Sequence, residues 1–221
     1  MSVNSNIYLL SDKNIDGVNT LPIIEINYIP RDIDLDCYDA LIFTSKNAVK
    51  GLNNITKYWK KIPSYAIAPQ TAKFIKDLGG YLAYEGKKHH GNEFALELIE
   101  QLKGKKVLYI RGSKIVSDLV EILNSNNIKC DQSIVYSTSC KKYNNLNLPK
   151  ESIIIFSSPS TIKCFFDNNL WDDSFKAVCI GNTTAKYIPK DIKYFISKET
   201  SLESCIKKAN ELLGNNFDLN F

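Results

Sequence analysis

Two stretches of this sequence recur in fixed register. FTSKNAVK (43–50) aligns with FSSPSTIK (156–163), and YAIAPQTAKFI (65–75) aligns with VCIGNTTAKYI (178–188). Phe43 and Thr71 stand 28 residues apart, as do Phe156 and Thr184, and the copies are offset by 113 residues, from 43 to 156. One matching octamer could arise by chance, but two in the same register do not. A chain of 221 residues with this pattern predicts two similar units, each large enough for a core of its own.

Within each copy, short and nearly continuous apolar runs predict strands at 39–44, 65–68, 106–110, 152–156 and 177–180. Such runs suit parallel strands covered on both faces. Between them Phe94, Leu98 and Leu102 recur at helical spacing with Ile99 beside them, and Leu119, Ile122 and Leu123 form another face. Gly79 and Gly80 after Leu78 predict a helix C-terminus. The alternation implies an α/β fold of two similar domains, with parallel sheets flanked by helices.

The two copies are not simply tandem. The second ends with a helix near 202–213 and has no later strand like 106–110. Its counterpart is the N-terminal run 6–10, and 21–26 answers to 130–136 in the same way. One domain is therefore expected to be discontinuous, 1–28 with 141–221, and the other, 36–136, to be inserted into it. Residues 29–35 and 137–140 are expected to form a two-stranded hinge. The residues from Gly214 onward read as a tail.

Composition narrows the function. At 44% hydrophobic and 24% charged the chain is an ordinary globular one. No apolar run approaches the ~20 residues of a membrane helix, and the first residues do not read as a signal peptide. Cys37, Cys130, Cys140, Cys164, Cys179 and Cys205 lack metal-site spacing, and several lie in apolar runs. Reduced thiols in a cytoplasm are expected rather than a disulfide framework. The net charge of +4 is mild, and Arg31 and Arg111 are the only arginines. The basic pairs Lys60-Lys61, Lys87-Lys88 and Lys105-Lys106 are too dispersed for a nucleic-acid surface, whereas a small anion fits. His89 and His90 are adjacent and cannot share a helical face, so no metal site is expected. The nucleophile elbow, the P-loop and the dinucleotide fingerprint are absent, and no cofactor is expected.

The chemistry is expected where strands give way to helices. Ser45, Thr71, Ser158 and Thr184 all lie just past an apolar strand, at the sheet edge where α/β proteins bind ligands. Backbone N–H groups there, including those near Gly181 and Asn182, favour anions. Any one of these hydroxyls reads equally well as a helix N-cap worth about 1 kcal/mol. Recurrence of two spaced sites in both copies favours a ligand. Arg111 at a strand end could clamp a carboxylate or make a surface ion pair. Tyr136 ends a strand beside a crossing between domains. Its phenol could donate a proton to a leaving hydroxyl or hold a carboxylate, and the other reading is a tyrosine packed at the hinge.

The order FTSKNAV, YAIAPQTA, YIRG, IVYST, FSSPS, CIGNTTA is similar to that of uroporphyrinogen-III synthases over almost the whole chain. The resemblance implies the discontinuous two-domain design with its two-stranded ladder. It also implies a cofactor-free lyase that cyclises hydroxymethylbilane to uroporphyrinogen III while inverting the terminal ring. A monomer is expected. The family's cleft positions fall on Ser45, Thr71, Tyr136, Ser158 and Thr184, with amides near Gly181 and Asn182, and Tyr136 is the candidate for assisting departure of the hydroxyl. Ala68 stands where the family usually has glycine, the segment between Leu10 and Leu21 is too short for the usual first helix, and the arginine after the first strand is missing. The competing reading is a non-catalytic two-domain sensor or binder of a small anion. A sugar-nucleotide transferase would need a metal-binding carboxylate motif that the sequence lacks.

Overall fold

Eleven strands and seven α-helices form among the described residues, which in this computed structural model are 6–88, 90–114, 117–144, 146–168 and 170–214. The strands are β1 (Ile7–Leu9), β2 (Asn19–Thr20), β3 (Ile24–Tyr28), β4 (Ala40–Phe43), β5 (Ser64–Ala66), β6 (Leu82–Glu85), β7 (Lys106–Gly112), β8 (Lys129–Cys140), β9 (Ile153–Phe156), β10 (Lys176–Cys179) and β11 (Tyr194–Ile196). The helices are α1 (Lys46–Ile55), α2 (Pro69–Asp77), α3 (Gly91–Gln101), α4 (Leu119–Ser125), α5 (Pro159–Phe166), α6 (Asn182–Ala185) and α7 (Leu202–Leu212).

The chain divides into two units, Ile26–Thr138 and the remainder, Met1–Glu25 with Ser139–Phe221. One sheet has the order β3-β8-β7-β4-β5-β6, the other β11-β10-β9-β1-β2. From β8 to β6, and throughout the second sheet, neighbouring strands run parallel. Read from β6 and from β11 inward, the two orders match strand for strand, so the repeat is one of topology. The counterpart of β8 is β2, not the run 21–26. Leu21 and Ile23 from that run are core residues, and the strand proper begins at Ile24.

Each central strand is buried on both faces, which is why its sequence is continuously apolar. In β4, Leu41 and Phe43 pack with Ala48, Val49 and Leu52 of α1, while Ala40 and Ile42 face Phe94 and Leu98 of α3 and Leu119 and Leu123 of α4. In β9, Ile154 and Phe156 meet Ile162 and Phe165 of α5, and Ile153 and Ile155 meet Cys205, Ile206 and Ala209 of α7. Burial of one such side chain stabilises by about 1.5–3 kcal/mol. Helix α2 ends where the glycine pair predicts, with Leu78 as C-cap and Gly79 at φ +77°, a conformation costly for other residues.

Two further expectations are corrected. Residues 29–35 form no hinge strand: the ladder neighbour of β8 is β3, which stops at Tyr28, and 137–140 is the end of β8. Pro30 has no N–H to give a ladder, and the Asp36 N–H donates to the Asp34 carboxylate at 2.9 Å, a local bond that competes with pairing. The six cysteines are also not all thiols. Cys140 at the end of β8 and Cys164 in α5 form a disulfide with Cα atoms 5.0 Å apart. Their 24-residue separation matches no motif; the packing of the β8 end against α5 brings them together. The tail expected beyond Gly214 lies outside the described residues.

Candidate active site

In the Ile26–Thr138 unit, β4, β5 and β7 end at one edge, and a cavity of about 540 Å³ opens there. Thr44 and Ser45 border it after β4, Ile67 after β5, and Tyr109 and Gly112 from β7, with Tyr136 beside them on β8. The far side is the start of α3, His90 to Glu93, together with Lys114 and Ser117. Of the residues singled out from the sequence, Ser45 and Tyr136 therefore share one cavity. His90 serves as the N-cap of α3 without a side-chain cap bond, and His89 lies outside the described residues. A second cavity of about 520 Å³, bordered by Tyr28–Asp32 and the later part of α1, contains none of the residues expected at the site.

The hydroxyls at the strand ends fall into two kinds. Ser45 and Ser158 are N-caps: Ser45 Oγ accepts from Asn47 N–H at 3.1 Å, and Ser158 Oγ from Thr161 N–H at 3.3 Å in a capping box. Their caps occupy acceptor capacity and leave each O–H proton available to a ligand. Thr71 and Thr184 are different. Each is the third residue of its helix, buried at 5% and 4% exposure, and the caps before them are Ala68 and Gly181, which make no side-chain cap bond. The first turns of α2 and α6 carry no side-chain cap, but Pro69 has no N–H, and the Thr71 and Thr184 amides already donate to the Ala68 and Gly181 carbonyls at 3.0 and 3.1 Å. Asn182, at the first position of α6, is exposed. Ala68, where glycine was expected, has an ordinary extended backbone (φ −152°, ψ 156°), so the departure strains nothing. Thr71 does not border the Tyr136 cavity.

Arg111 has another task than the expected carboxylate clamp. It is 8% exposed; Nε donates to Gln132 Oε1 at 2.8 Å, and Nη1 to the carbonyls of Gly112 and Ser113 at 2.7 and 3.3 Å. The guanidinium braces the end of β7. A strand-end arginine carries no sequence signal for which way its head turns.

One contact on the cavity border was not expected from the sequence. Thr44 Oγ1 and Tyr109 Oη share a hydrogen bond of 2.8 Å. Burial pushes the Tyr109 phenol above its ordinary pKa, with the Thr44 bond pulling the other way, so it is neutral at physiological pH. Their pairing depends on β4 lying beside β7 with Ile42 opposite Tyr109, and that register is not written in either segment alone. Among the described residues no group of three or more His, Cys, Asp or Glu side chains could hold a metal ion. No described helix is long and apolar enough to cross a membrane.

Comparisons with known proteins agree with this architecture. The family model of uroporphyrinogen-III synthase HemD matches residues 17–207. The porphyrin biosynthesis protein HemD of Ruminiclostridium josui is 30% identical over 88% of this chain, which spans 44% of that longer protein. A putative uroporphyrinogen-III synthase of Methanocaldococcus jannaschii is 28% identical, covering 86% of this chain and 87% of that one. The crystal structure of uroporphyrinogen-III synthetase from Helicobacter pylori superposes with a TM-score of 0.77 at 33% identity, over 94% of this chain and 99% of that one. This chain belongs to the uroporphyrinogen-III synthase family.

Proposed function

We propose that this chain cyclises hydroxymethylbilane to uroporphyrinogen III, inverting the terminal pyrrole, in heme and porphyrin biosynthesis. The observation that carries the reading is the Tyr136 cavity at a carboxyl sheet edge, in a chain that matches the Helicobacter pylori synthetase along nearly its whole length. Loss of the hydroxymethyl oxygen leaves an electrophilic azafulvene. The substituted α-carbon of the terminal pyrrole attacks it, giving a spiro intermediate that fragments and recloses with that ring inverted. Tyr136 donates its phenol proton to the departing oxygen, which leaves as water, and a proton returns when the new macrocycle regains its aromatic pyrrole.

The pyrroles supply the electrons, so the protein's share is to fold the bilane and hold its carboxylates. Ser45 and Ser158 offer hydroxyl protons, Gly181 and Asn182 at the start of α6 offer amides, and Thr71 and Thr184 offer their side-chain hydroxyls, since their amides already donate to the Ala68 and Gly181 carbonyls. Arg111 assists indirectly by bracing the strand end. We propose that the enzyme works as a monomer in the cytoplasm, where the Cys140–Cys164 disulfide is subject to reduction by the thiol pool, with no cofactor, nucleic acid or membrane partner.

The test uses enzymatically made hydroxymethylbilane in chelator-treated buffer. The substrate closes unaided to the symmetric type I isomer, so its disappearance proves nothing. Folded protein should give mostly type III, and heat-denatured protein type I. Type I alone at the spontaneous rate overturns the assignment, and tight binding without diversion marks a sensor instead.

A further inference from the structure

We infer that Gly112 is the positioning residue for Tyr136, fixing where its phenol points; the inference rests on the proton-donor role proposed above. Strands β7 and β8 pair in steady register from Lys106 with Lys129 to Arg111 with Ile134, and then the pairing jumps so that Gly112 faces Tyr136. Val135 is the extra residue of a bulge, a device that re-aims the side chain next to it.

The bulge is held from both sides. Val135 is fully buried, and Gly51 of α1 comes so close that a Cβ there would stand 2.7 Å from Val135 Cγ2. Glycine inside a helix lowers helix propensity and is tolerated where such an approach demands it. On the β7 side, Ser113 N–H donates to the Tyr136 carbonyl at 2.9 Å, and Arg111 ties down the Gly112 and Ser113 carbonyls.

Against this fixed backbone, the Tyr136 ring occupies the space of a missing side chain. A Cβ on Gly112 would stand 2.6 Å from Tyr136 Cζ, 2.8 Å from Cε2 and 2.9 Å from Oη. Real Cβ atoms do not approach so closely, so one of the two must move, and the ring tip is the freer. Gly112 is not in the left-handed region, so the Tyr136 ring is what opposes a side chain there. Both residues border the same cavity. A proton donor must come within about 2.6–3.2 Å of its target, and a misplacement of about 1 Å can cost roughly 10²-fold.

The experiment is a double-mutant cycle on type III formation by the full chain. Gly112→Ala should lower kcat roughly 10- to 100-fold with KM little changed, and the type I share of product should rise. Tyr136→Phe should lower kcat similarly, and adding Gly112→Ala to it should cost nothing further, because the hydroxyl to be misplaced is gone. Additive losses, or full turnover by Gly112→Ala, overturn the inference. If Gly112→Ala fails to fold, combining it with Tyr136→Ala has to recover the fold by removing the ring, and failure of both variants overturns it as well. A wild-type protein that yields only type I overturns the proposed function itself, and an active wild type with an indifferent Gly112→Ala overturns this inference alone.

Discussion

The hydroxyls of Thr44 and Tyr109 meet at 2.8 Å, joining the end of β4 to the middle of β7 on the border of the Tyr136 cavity. Tyr109 is 5% exposed and Thr44 is half-buried, so the bond is only partly open to water. Tyr109→Phe removes one hydroxyl and leaves Thr44 to find water instead. The expected cost is about 1 kcal/mol, or a fall in Tm of roughly 2–4 °C for a chain of this size. A smaller rate loss than for Tyr136→Phe is expected, because the pair shapes the cavity wall. Thermal unfolding and steady-state kinetics check both.

Tyr136→Phe keeps the ring against Gly112 and removes only the proton donor. Turnover should fall by roughly 10²-fold, the lower end for a positioned acid, while Tm stays close to wild type. Full turnover with unchanged stability would leave Tyr136 a packing residue.

How far these features could be read in advance follows from what each depends on. The central strands β4, β7, β9 and β10 were legible because burial on both faces writes a continuous apolar run. The edge strands β6 and β11 were not: each has one neighbour, exposed positions at Glu85 or Tyr194, and too few apolar residues to stand out. Ser45 and Thr71 look alike in sequence, each a hydroxyl just past a strand. Their difference, cap against third helical position, turns on whether the helix starts at Lys46 or at Pro69, a matter of one or two residues. The bulge at Val135 and the Thr44–Tyr109 pair are matters of register between strands distant in sequence. Local pattern cannot supply that.

Glu97 ties the loop before α3 to the helix itself. Its carboxylate accepts from Tyr84 Oη at 3.0 Å and from the N–H groups of Lys87 and Lys88, each at 2.9 Å. Partial desolvation acts to raise its pKa, but these bonds outweigh it and hold the carboxyl below its ordinary value. A folded-state pKa below the unfolded one gives stability that is present above the unfolded value and lost as pH falls through the folded one. Glu97→Gln should therefore lower Tm near pH 7, and the gap to wild type should close as the pH drops below the ordinary carboxylate range. A gap that stays constant through that range would refute the account.

Cysteine reactivity tests both the core and the corrected disulfide. Cys130 and Cys179 are buried, and desolvation pushes each thiol up to about 12. Cys205 is raised by the same cause, which outweighs its bond to Ser197. The thiolate is the reactive form, so these three should resist a thiol reagent at pH 8 in the native protein. Cys37 is exposed and should react at once. With Cys140 and Cys164 joined, protein unfolded without reductant should show four thiols, and reduced unfolded protein all six cysteines. Closing that loop should stabilise the oxidised protein by about 3 kcal/mol on chain-entropy grounds, seen as a lower Tm after reduction. Six thiols in unfolded, unreduced protein would show that the pair stays open, and fast labelling of Cys130 or Cys179 in the native state would contradict their burial.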